Sequence, residues 1–422
     1  MAKSNHDNKN LTKKYIHPSL KPKKTIHIMK ISTILGSTLL LAAAIPAFAQ
    51  DEAPKFKIQP TGRVLADGAL FAPTDDGKFA DGVNIADVRM GVKAYYGNWM
   101  AKIDVGYGFG QISMKDVYIQ YKFNDKNLIR GGYFVHQFGL QAATSSSMKP
   151  TFEAPITDTY MNATGRNLGI MYQYNGDKFL ANVSGIAGTQ ITTAANTMGR
   201  VSAGGITRLL YRPIHTPGTI AQVGMSGWYQ SAMHKREGDV TSPGYFTYSA
   251  NYPTRVDKVS LLSTTVNDAN GVVKLSPEWL VSKGRFAFEG QYYYMNINRK
   301  RDLSSFTAQG IYGELRALVF GDKKYGYASG DGGLATPAPK TLECVVGYNY
   351  TDATDSKAGT YGGITNDYSV TFNYYINKYM LARLRYSYTD LRQSGSLNDA
   401  GEVDLNPKSH VNIIEARIQF MF

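Results

Sequence analysis

The sequence has little cysteine, no long apolar run beyond its first 50 residues, and few charged residues. Cys344 is the only cysteine of the chain, which excludes a disulfide framework and a cysteine-based zinc site. After residue 50 no apolar stretch has the roughly 20 residues that a membrane-spanning helix needs. Charged residues make up 19% and hydrophobic residues 43%, a balance typical of a folded chain and not of a disordered one.

The formal charge of +13 suggests nucleic-acid binding until the positions of the charges are considered. Residues 1–49 contain eight lysines and one acid, Asp7, which amounts to +7. Subtracting this +7 from +13 leaves +6 for the rest of the chain. Most of the excess therefore lies in an N-terminal tail, and we expect no nucleic acid among the partners.

That tail contains the pattern of a secretory signal. A lysine, Lys30, precedes the apolar run 31–44, and Pro46 and the small-residue box Ala47-Phe48-Ala49 follow it. A basic start, a short apolar run and an A-x-A box predict cleavage after Ala49. We therefore expect residues 1–49 to be a basic tail plus signal peptide, and residues 50–422 to form one exported domain. Two classes remain open: a soluble secreted protein or an outer-membrane β-barrel.

The exported part reads as strands almost throughout. In residues 114–123, Val117, Ile119, Tyr121 and Phe123 alternate with polar side chains, and the same period of two recurs along the chain. Neighbouring side chains on a strand point to opposite faces, so each segment has one apolar and one polar face. A soluble β-sandwich would show the same alternation, so the period alone leaves both classes open.

Three features favour a membrane barrel. Many segments run 10–14 residues, closer to tilted membrane-spanning strands than to those of soluble sheets. Aromatic residues gather at strand ends, as at the two interfaces of a membrane. The chain also ends on an alternating strand whose last residue is Phe422, a pattern that resembles the signal read by the barrel insertion machinery of bacterial outer membranes.

We predict an all-β transmembrane antiparallel barrel of about sixteen strands. Counting segments gives seventeen candidates, one of them 255–265, and single-chain bacterial barrels have even strand counts. The uncertain stretch is 240–282, where prolines interrupt the pattern. A barrel of 16–18 strands encloses an aqueous channel, so function depends on the inward residues.

The inward faces of the strands carry a slight excess of positive charge. Twelve basic residues have inward parity: Arg63, Arg89, Lys93, Lys102, Lys122, Arg130, Arg208, Arg212, Arg316, Arg383, Arg385 and Arg417. Nine acidic residues share it: Asp67, Asp87, Asp104, Asp116, Glu289, Glu314, Glu343, Asp367 and Glu415. Rings of arginine and lysine favour anions, and the walls of a pore focus their field. The difference of three charges also fits a non-selective pore.

The longest gap between predicted strands is 136–165, which follows the fifth strand. Its middle is polar and rich in small residues, with Lys149, Glu153 and Asp158. Loops of this length are usually functional or disordered. We expect this third loop to fold inward and narrow the lumen, although an external solvated loop is the alternative.

Several motifs resemble the phosphate-selective porin O and P family. Residues 87–93, 114–121 and 127–134 resemble its opening strands, and the run 137–169 is similar to its third-loop region. Ser276-Pro-Glu-Trp-Leu280, Phe288-Glu-Gly-Gln-Tyr292 and Tyr312-Gly-Glu-Leu-Arg316 look like its later strands, so the resemblance spans about residues 60–422.

The resemblance implies a sixteen-stranded, trimeric porin with a constriction loop folded inward, and a ladder of arginines and lysines for phosphate. Here Arg130 and Arg166 bracket the loop and Lys149 lies within it, whereas Glu153 and Asp158 depart from a purely basic pattern. We therefore expect a homotrimeric outer-membrane pore that favours small anionic solutes, with phosphate as one candidate. The pore-lining and constriction candidates are Arg89, Lys93, Lys102, Lys122, Arg130, Lys149, Glu153, Arg166, Arg316, Arg383 and Arg385.

Other chemistry is not indicated. The four histidines after the signal, at positions 136, 215, 234 and 410, have no metal-ligand spacing. No G-x-S-x-G elbow occurs, so we expect neither an enzyme nor a cofactor. An outer-membrane hydrolase and a secreted soluble β-sheet adhesin or binding protein stay as alternatives.

Overall fold

The computed structural model describes residues 54–72, 79–108, 110–162, 165–188, 198–200, 202–237, 240–300, 302–397 and 402–422. The predicted signal, residues 1–49, lies outside the described residues and stays a prediction. In the part of the chain that is described, no helix has the length and apolar character to cross a bilayer.

Sixteen antiparallel strands of the described residues form one closed sheet, as predicted. In chain order they are β1 Lys57–Ala72, β2 Gly82–Tyr96, β3 Trp99–Gly108, β4 Gln111–Lys122, β5 Asn127–Val135, β6 Arg166–Asn175, β7 Phe179–Ala187, β8 Ala203–Thr216, β9 Thr219–Ser231, β10 Ala269–Lys283, β11 Phe286–Arg299, β12 Phe306–Phe320, β13 Thr341–Asp355, β14 Thr360–Tyr375, β15 Met380–Leu397 and β16 Ser409–Met421. Each strand pairs with the next, and β16 returns to β1 with Met421 opposite Arg63. The terminal Phe422 exchanges two backbone hydrogen bonds with Gly62, at 2.9 and 3.0 Å. Closure leaves no unpaired sheet edge, which hydrocarbon would not tolerate.

The period of two sorts side chains between the lumen and the outer surface. On β12, Glu314 and Arg316 are buried inside, whereas Ile311 and Leu315 are exposed outside. Exposed aromatic rings form two outer bands. One band includes the contacts Phe320–Tyr374 and Tyr379–Phe420, and the other includes Tyr348–Tyr368 and Tyr368–Tyr388. These are the apolar belt and aromatic girdles of a membrane barrel.

A charge on this belt should destabilise the barrel. Leu384 is 51% exposed on β15, between the two aromatic bands. We expect L384R to lower the free energy of unfolding by about 2–4 kcal/mol, whereas Y379R at a girdle should cost about 1 kcal/mol or less. Urea unfolding in lipid vesicles, followed by the gel mobility of the folded barrel, measures both. Equal losses for the two variants would contradict a lipid-facing belt.

The links at one end of the barrel, which we call the turn end, are short except for one. Residues 97–98, 217–218 and 284–285 are two-residue turns, but the β12–β13 link runs over residues 321–340. It contains the paired two-residue strands Tyr327–Ala328 and Gly333–Leu334. The opposite end, the loop end, carries most of the long links. Its short strands are Met198–Arg200, His234–Glu237, Val240–Thr241 and Val403–Leu405.

One predicted strand is wrong. The segment 255–265 does not enter the barrel wall, because Ser260–Asn267 pairs with Tyr245–Asn251 in a hairpin of the β9–β10 link. That link covers residues 232–268 and is longer than the predicted longest loop, 136–165. Buried and exposed side chains also alternate along this hairpin, but its buried face packs inside the barrel and not against lipid. Periodicity could therefore not distinguish it from a strand of the barrel wall.

Two loops fill one side of the lumen. Residues 136–165, called L3 below, contain the short helices α1 Gly139–Ala143 and α2 Ile156–Met161. Together with the 245–267 hairpin they form an apolar core that includes Phe138, Ile156, Tyr248 and Leu262. L3 therefore folds inward, as predicted, and the open part of the lumen lies toward β2–β6.

Candidate functional site

The open part of the lumen is a cavity of about 830 Å³ between L3 and the inner wall of β2–β6. The wall side carries most of its charge, and the L3 side is lined by small residues, 142–146. Seven cations line the cavity: Arg89, Lys93, Lys102, Lys115, Arg130, Lys149 and Arg166. Three carboxylates accompany them: Asp116, Asp158 and Asp331. The cavity is therefore electropositive.

One group of these charges is internally neutralised. Asp116 accepts from Lys102 Nζ and from Arg166 Nε, both at 2.8 Å. Lys102 Nζ also lies 2.7 Å from Asp104 Oδ2. Two cations and two carboxylates thus balance, and this cluster contributes little net field.

A second group of cations is not paired. Within the described residues, no carboxylate lies within 4.0 Å of a side-chain nitrogen of Lys93, Lys115 or Arg130. Arg130 Nη2 donates to Gln120 Oε1 at 2.7 Å, and its guanidinium stacks 4.4 Å from the ring of Tyr118. These contacts orient the guanidinium without neutralising it, so the three cations contribute uncompensated positive charge to the field of the cavity.

Lys115 reaches the lumen because β4 has a bulge. Ile103 pairs with Val117, but Val105 pairs with Met114, so two residues of β4 face one residue of β3. The extra residue lets Lys115 and Asp116 both line the cavity. Opposite them, Gly106 leaves room, since a Cβ there would lie 2.5 Å from Lys115 Cε. Bulges of this kind re-aim a side chain.

Arginines of β15 and β16 hold the backbone of L3 against their own part of the barrel wall. Arg383 donates to Lys149 O at 2.7 Å and to Ser147 O at 2.9 Å. Arg385 donates to Thr151 O at 3.1 Å. Bonds from charged donors to backbone carbonyls are strong where water is excluded. They fix the path of the loop backbone, and with it the width of the cavity.

Arg417 makes the densest of these contacts. Its guanidinium forms two bonds with Asp67, at 2.7 and 2.6 Å, and Nη2 lies 2.6 Å from Glu153 Oε1. The guanidinium also stacks 4.2 Å from the ring of Phe152, whose φ of 77° is in the left-handed region. A bulky residue rarely adopts this backbone conformation unless its surroundings impose it.

The pKa values of the charged groups on L3 are shifted by burial and by neighbouring charges. Burial alone would raise the pKa of Glu153, but the guanidiniums of Arg255 and Arg417 outweigh it and lower this pKa to about 2. Because the pKa is depressed, these ion pairs stabilise the fold above the ordinary pKa of a glutamate, and the stabilisation is lost as the pH falls toward 2. Burial raises the pKa of Asp158 and lowers the pKa of Lys149.

The predicted site residues therefore divide into two sets. Six of them line the cavity: Arg89, Lys93, Lys102, Arg130, Lys149 and Arg166. The others do not line it. Arg383, Arg385 and Glu153 hold L3, and Arg316 is buried between Glu289 and Glu343, at 3.0 and 2.8 Å. Lys122 lies at the turn end, half exposed and 3.4 Å from Asp125.

Three residues of the site were not among the predicted ones. Lys115 has outward parity on β4, and a lysine on a lipid-facing parity is the signal that could have indicated the bulge. Arg255 was assigned to a strand, yet in the structure it lies 2.8 Å from Glu153 and 3.3 Å from Asp87. Asp331 comes from the long link at the turn end, and no local pattern indicates that this link reaches the cavity.

The arrangement suits passage and transient binding of ions. Among the described residues, no group of three or more histidine, cysteine, aspartate or glutamate side chains is placed to hold a metal ion. Unpaired cations in a walled cavity attract anions, and the hydroxyl groups of residues 144–146 on L3 can donate hydrogen bonds to them.

Comparisons with known proteins agree with this architecture. The family model described as phosphate-selective porin O and P matches residues 82–422. OmpT of Vibrio cholerae, an outer membrane protein, is 11% identical over 88% of this chain and 100% of its own, with a TM-score of 0.54. The trimer form of the same protein is 10% identical over 87% of this chain and 99% of its own, with a TM-score of 0.51. OprB of Pseudomonas putida is 8% identical over 88% of this chain and 95% of its own, with a TM-score of 0.51. No curated protein sequence matches this chain significantly. At these identities the solved structures bear on the fold alone.

Proposed function

The chain belongs to the phosphate-selective porin O and P family and is a channel of the bacterial outer membrane, and from this premise we propose that its pore prefers small anions over cations, inorganic phosphate among them. The alternative of a secreted soluble adhesin is wrong, because the family and the fold are those of outer-membrane porins. The family is one of channels, and we propose no hydrolase activity for this chain.

The observation that carries the anion preference is the unpaired cation group, Lys93, Lys115 and Arg130. All three line the same cavity, whereas Asp116 on that wall is matched by Lys102 and Arg166. An anion that enters the cavity therefore meets uncompensated positive charge. L3 is proposed as the constriction, because it limits the open lumen to the space beside this wall.

Phosphate fits the donors that surround the cavity. Arginine and lysine form charge-assisted hydrogen bonds with phosphate oxygens, and Arg130 is held in place by Gln120 and Tyr118. Passage also requires release, so binding must be weak enough for the ion to leave. The proposed mechanism is diffusion in which an anion exchanges water for these donors and then dissociates.

A planar-bilayer recording tests the proposal. With purified protein in a KCl gradient, we expect ohmic channels whose reversal potential has the sign of chloride permeation. Inorganic phosphate titrated into symmetric KCl should reduce the chloride current by competing for the cavity. A reversal potential of the opposite sign would overturn the anion preference, and a chloride current insensitive to phosphate would remove phosphate from the proposed solutes.

Three further predictions concern assembly. We propose cleavage of a signal peptide after Ala49, insertion through the C-terminal strand that ends in Phe422, and a homotrimer in the membrane. N-terminal sequencing of the membrane form tests the cleavage site, and deletion of Phe422 should reduce the folded fraction if the C-terminal strand directs insertion.

The homotrimer is supported by conductance that appears in steps of three and by a trimer mass in detergent. Single steps and a monomer mass would contradict it.

A further inference from the structure

The long link at the turn end, residues 321–340, folds back into the lumen. It joins β12 to β13, but its tip contacts strands on another side of the barrel. Arg208 and Arg212 of β8 donate to Asp331 O at 2.7 Å and to Ser329 O at 2.8 Å. From β9, Gln222 donates to Gly332 O at 2.7 Å. Because the tip bonds to strands distant from its own, it extends across the lumen.

A buried ion pair sets the position of that tip. Arg208 Nε and Nη2 bind Glu278 at 2.9 and 2.7 Å, and both side chains are fully buried. The remaining nitrogen, Nη1, donates to Asp331 O and also to Gln137 Oε1 of L3 at 2.8 Å. One guanidinium therefore connects the wall, L3 and the tip of the link, so the residue at the tip has a defined place in the cavity.

The side chain at the tip is a carboxylate without a partner. Of the three carboxylates that line the cavity, Asp116 is paired with Lys102 and Arg166, and Asp158 accepts a bond from Tyr293 at 2.7 Å. Within the described residues, the carboxylate of Asp331 has no ion pair or hydrogen bond, and the residue is exposed to the cavity. The charges of Arg208, which is itself paired with Glu278, and of Arg130 both lie close enough to interact with this carboxylate.

We propose that Asp331 is a specificity-determining residue that promotes release of the anion from the cation group. Its negative charge repels an anion bound at Arg130 and competes with it for the guanidinium. A strong binding site retains its ion, so a fixed negative charge beside the site weakens anion binding and raises the rate at which the site empties. The inference rests on the proposed anion preference.

The variant D331N tests the inference. Asparagine has nearly the same shape, and the Asp331 side chain makes no bond that folding needs, so the barrel should form. We expect the anion-to-cation permeability ratio to rise by at least about threefold, because one unit charge roughly 6 Å from an ion in a water-like dielectric changes the local anion concentration by about that factor and the cation concentration in the opposite sense. The conductance in KCl should saturate at a lower salt concentration and at a lower maximum, because chloride leaves more slowly.

D177N is the matched control. Asp177 is an exposed aspartate of the β6–β7 turn, 85% exposed and 3.7 Å from Lys126, at the rim and not in the cavity. We expect its permeability ratio and saturation to match those of the unmodified protein. If D331N behaves as D177N does, or raises the maximal conductance, the inference is overturned. A cation-preferring unmodified channel would instead refute the proposed function, since that result does not depend on either variant.

Discussion

Replacing Lys93 and Lys115 together by glutamine should lower the anion-to-cation permeability ratio by at least about tenfold in dilute salt. Both side chains line the cavity, and neither has a carboxylate partner among the described residues. A unit charge roughly 6 Å from an ion contributes about 0.7 kcal/mol in a water-like dielectric. Two such charges contribute about 1.4 kcal/mol, which is about tenfold in local anion concentration, and the local cation concentration changes in the opposite sense. Reversal potentials in a KCl gradient measure the change.

The double variant K122Q/K126Q provides a control with the same loss of charge. Lys122 and Lys126 lie at the turn end with side chains 50% and 54% exposed, paired with Asp125 and Asp177. Exposed rim charges are screened over about 10 Å at 0.1 M salt, so we expect a much smaller change. If both double variants shift the reversal potential equally, selectivity follows total charge and not the cavity wall.

Replacing Arg417 by glutamine should lower the free energy of unfolding by about 3–5 kcal/mol. Arg417 is fully buried and compensates the charges of Asp67 on β1 and Glu153 on L3. Removal of one partner of a buried ion pair leaves uncompensated charge, and losses of this size are typical. The same change frees the Phe152 segment of L3, so we also expect a larger and noisier single-channel conductance. Urea unfolding and bilayer recordings on the same preparation give both quantities.

The conservative variant R417K separates charge from geometry. Lysine keeps the positive charge but cannot form the two parallel bonds to Asp67 or stack in the same way on Phe152. We expect an intermediate loss of stability. R392Q is the control at a partly exposed pair, 3.1 Å from Asp390, with an expected loss of at most about 1 kcal/mol. An unfolding midpoint for R417Q equal to that of R392Q would exclude Arg417 as the anchor of L3.

Much of the barrel could be predicted from single segments. The alternation on β12 places Glu314 and Arg316 inside and Leu315 outside without knowledge of any other strand. The same rule failed at 255–265, because a hairpin packed against an apolar core inside the lumen has the same period as a strand against lipid. Local hydropathy reports which face is apolar but not what covers it.

In the candidate site, too, single segments predicted which side chains point inward but not what they contact. Arg130 and Arg383 both have inward parity, and both were predicted to line the pore. Arg130 does line the cavity, whereas Arg383 is buried beneath L3 with its donors on Lys149 O and Ser147 O. The difference lies in the path of L3, 234 residues away along the chain, which no property of the β15 segment contains.

The sequence by itself determined the class of the molecule, because a period of two and aromatic residues at strand ends are properties of single segments. Only the tertiary structure decided which cations stay unpaired, since pairing depends on carboxylates and carbonyls that distant strands and loops bring within 4 Å. The tertiary structure also decided the position of the bulge that turns Lys115 inward and the path of the link that carries Asp331 into the cavity. Charge–charge energies fall off with distance in space and not along the chain, so selectivity could be assigned only after closure of the barrel.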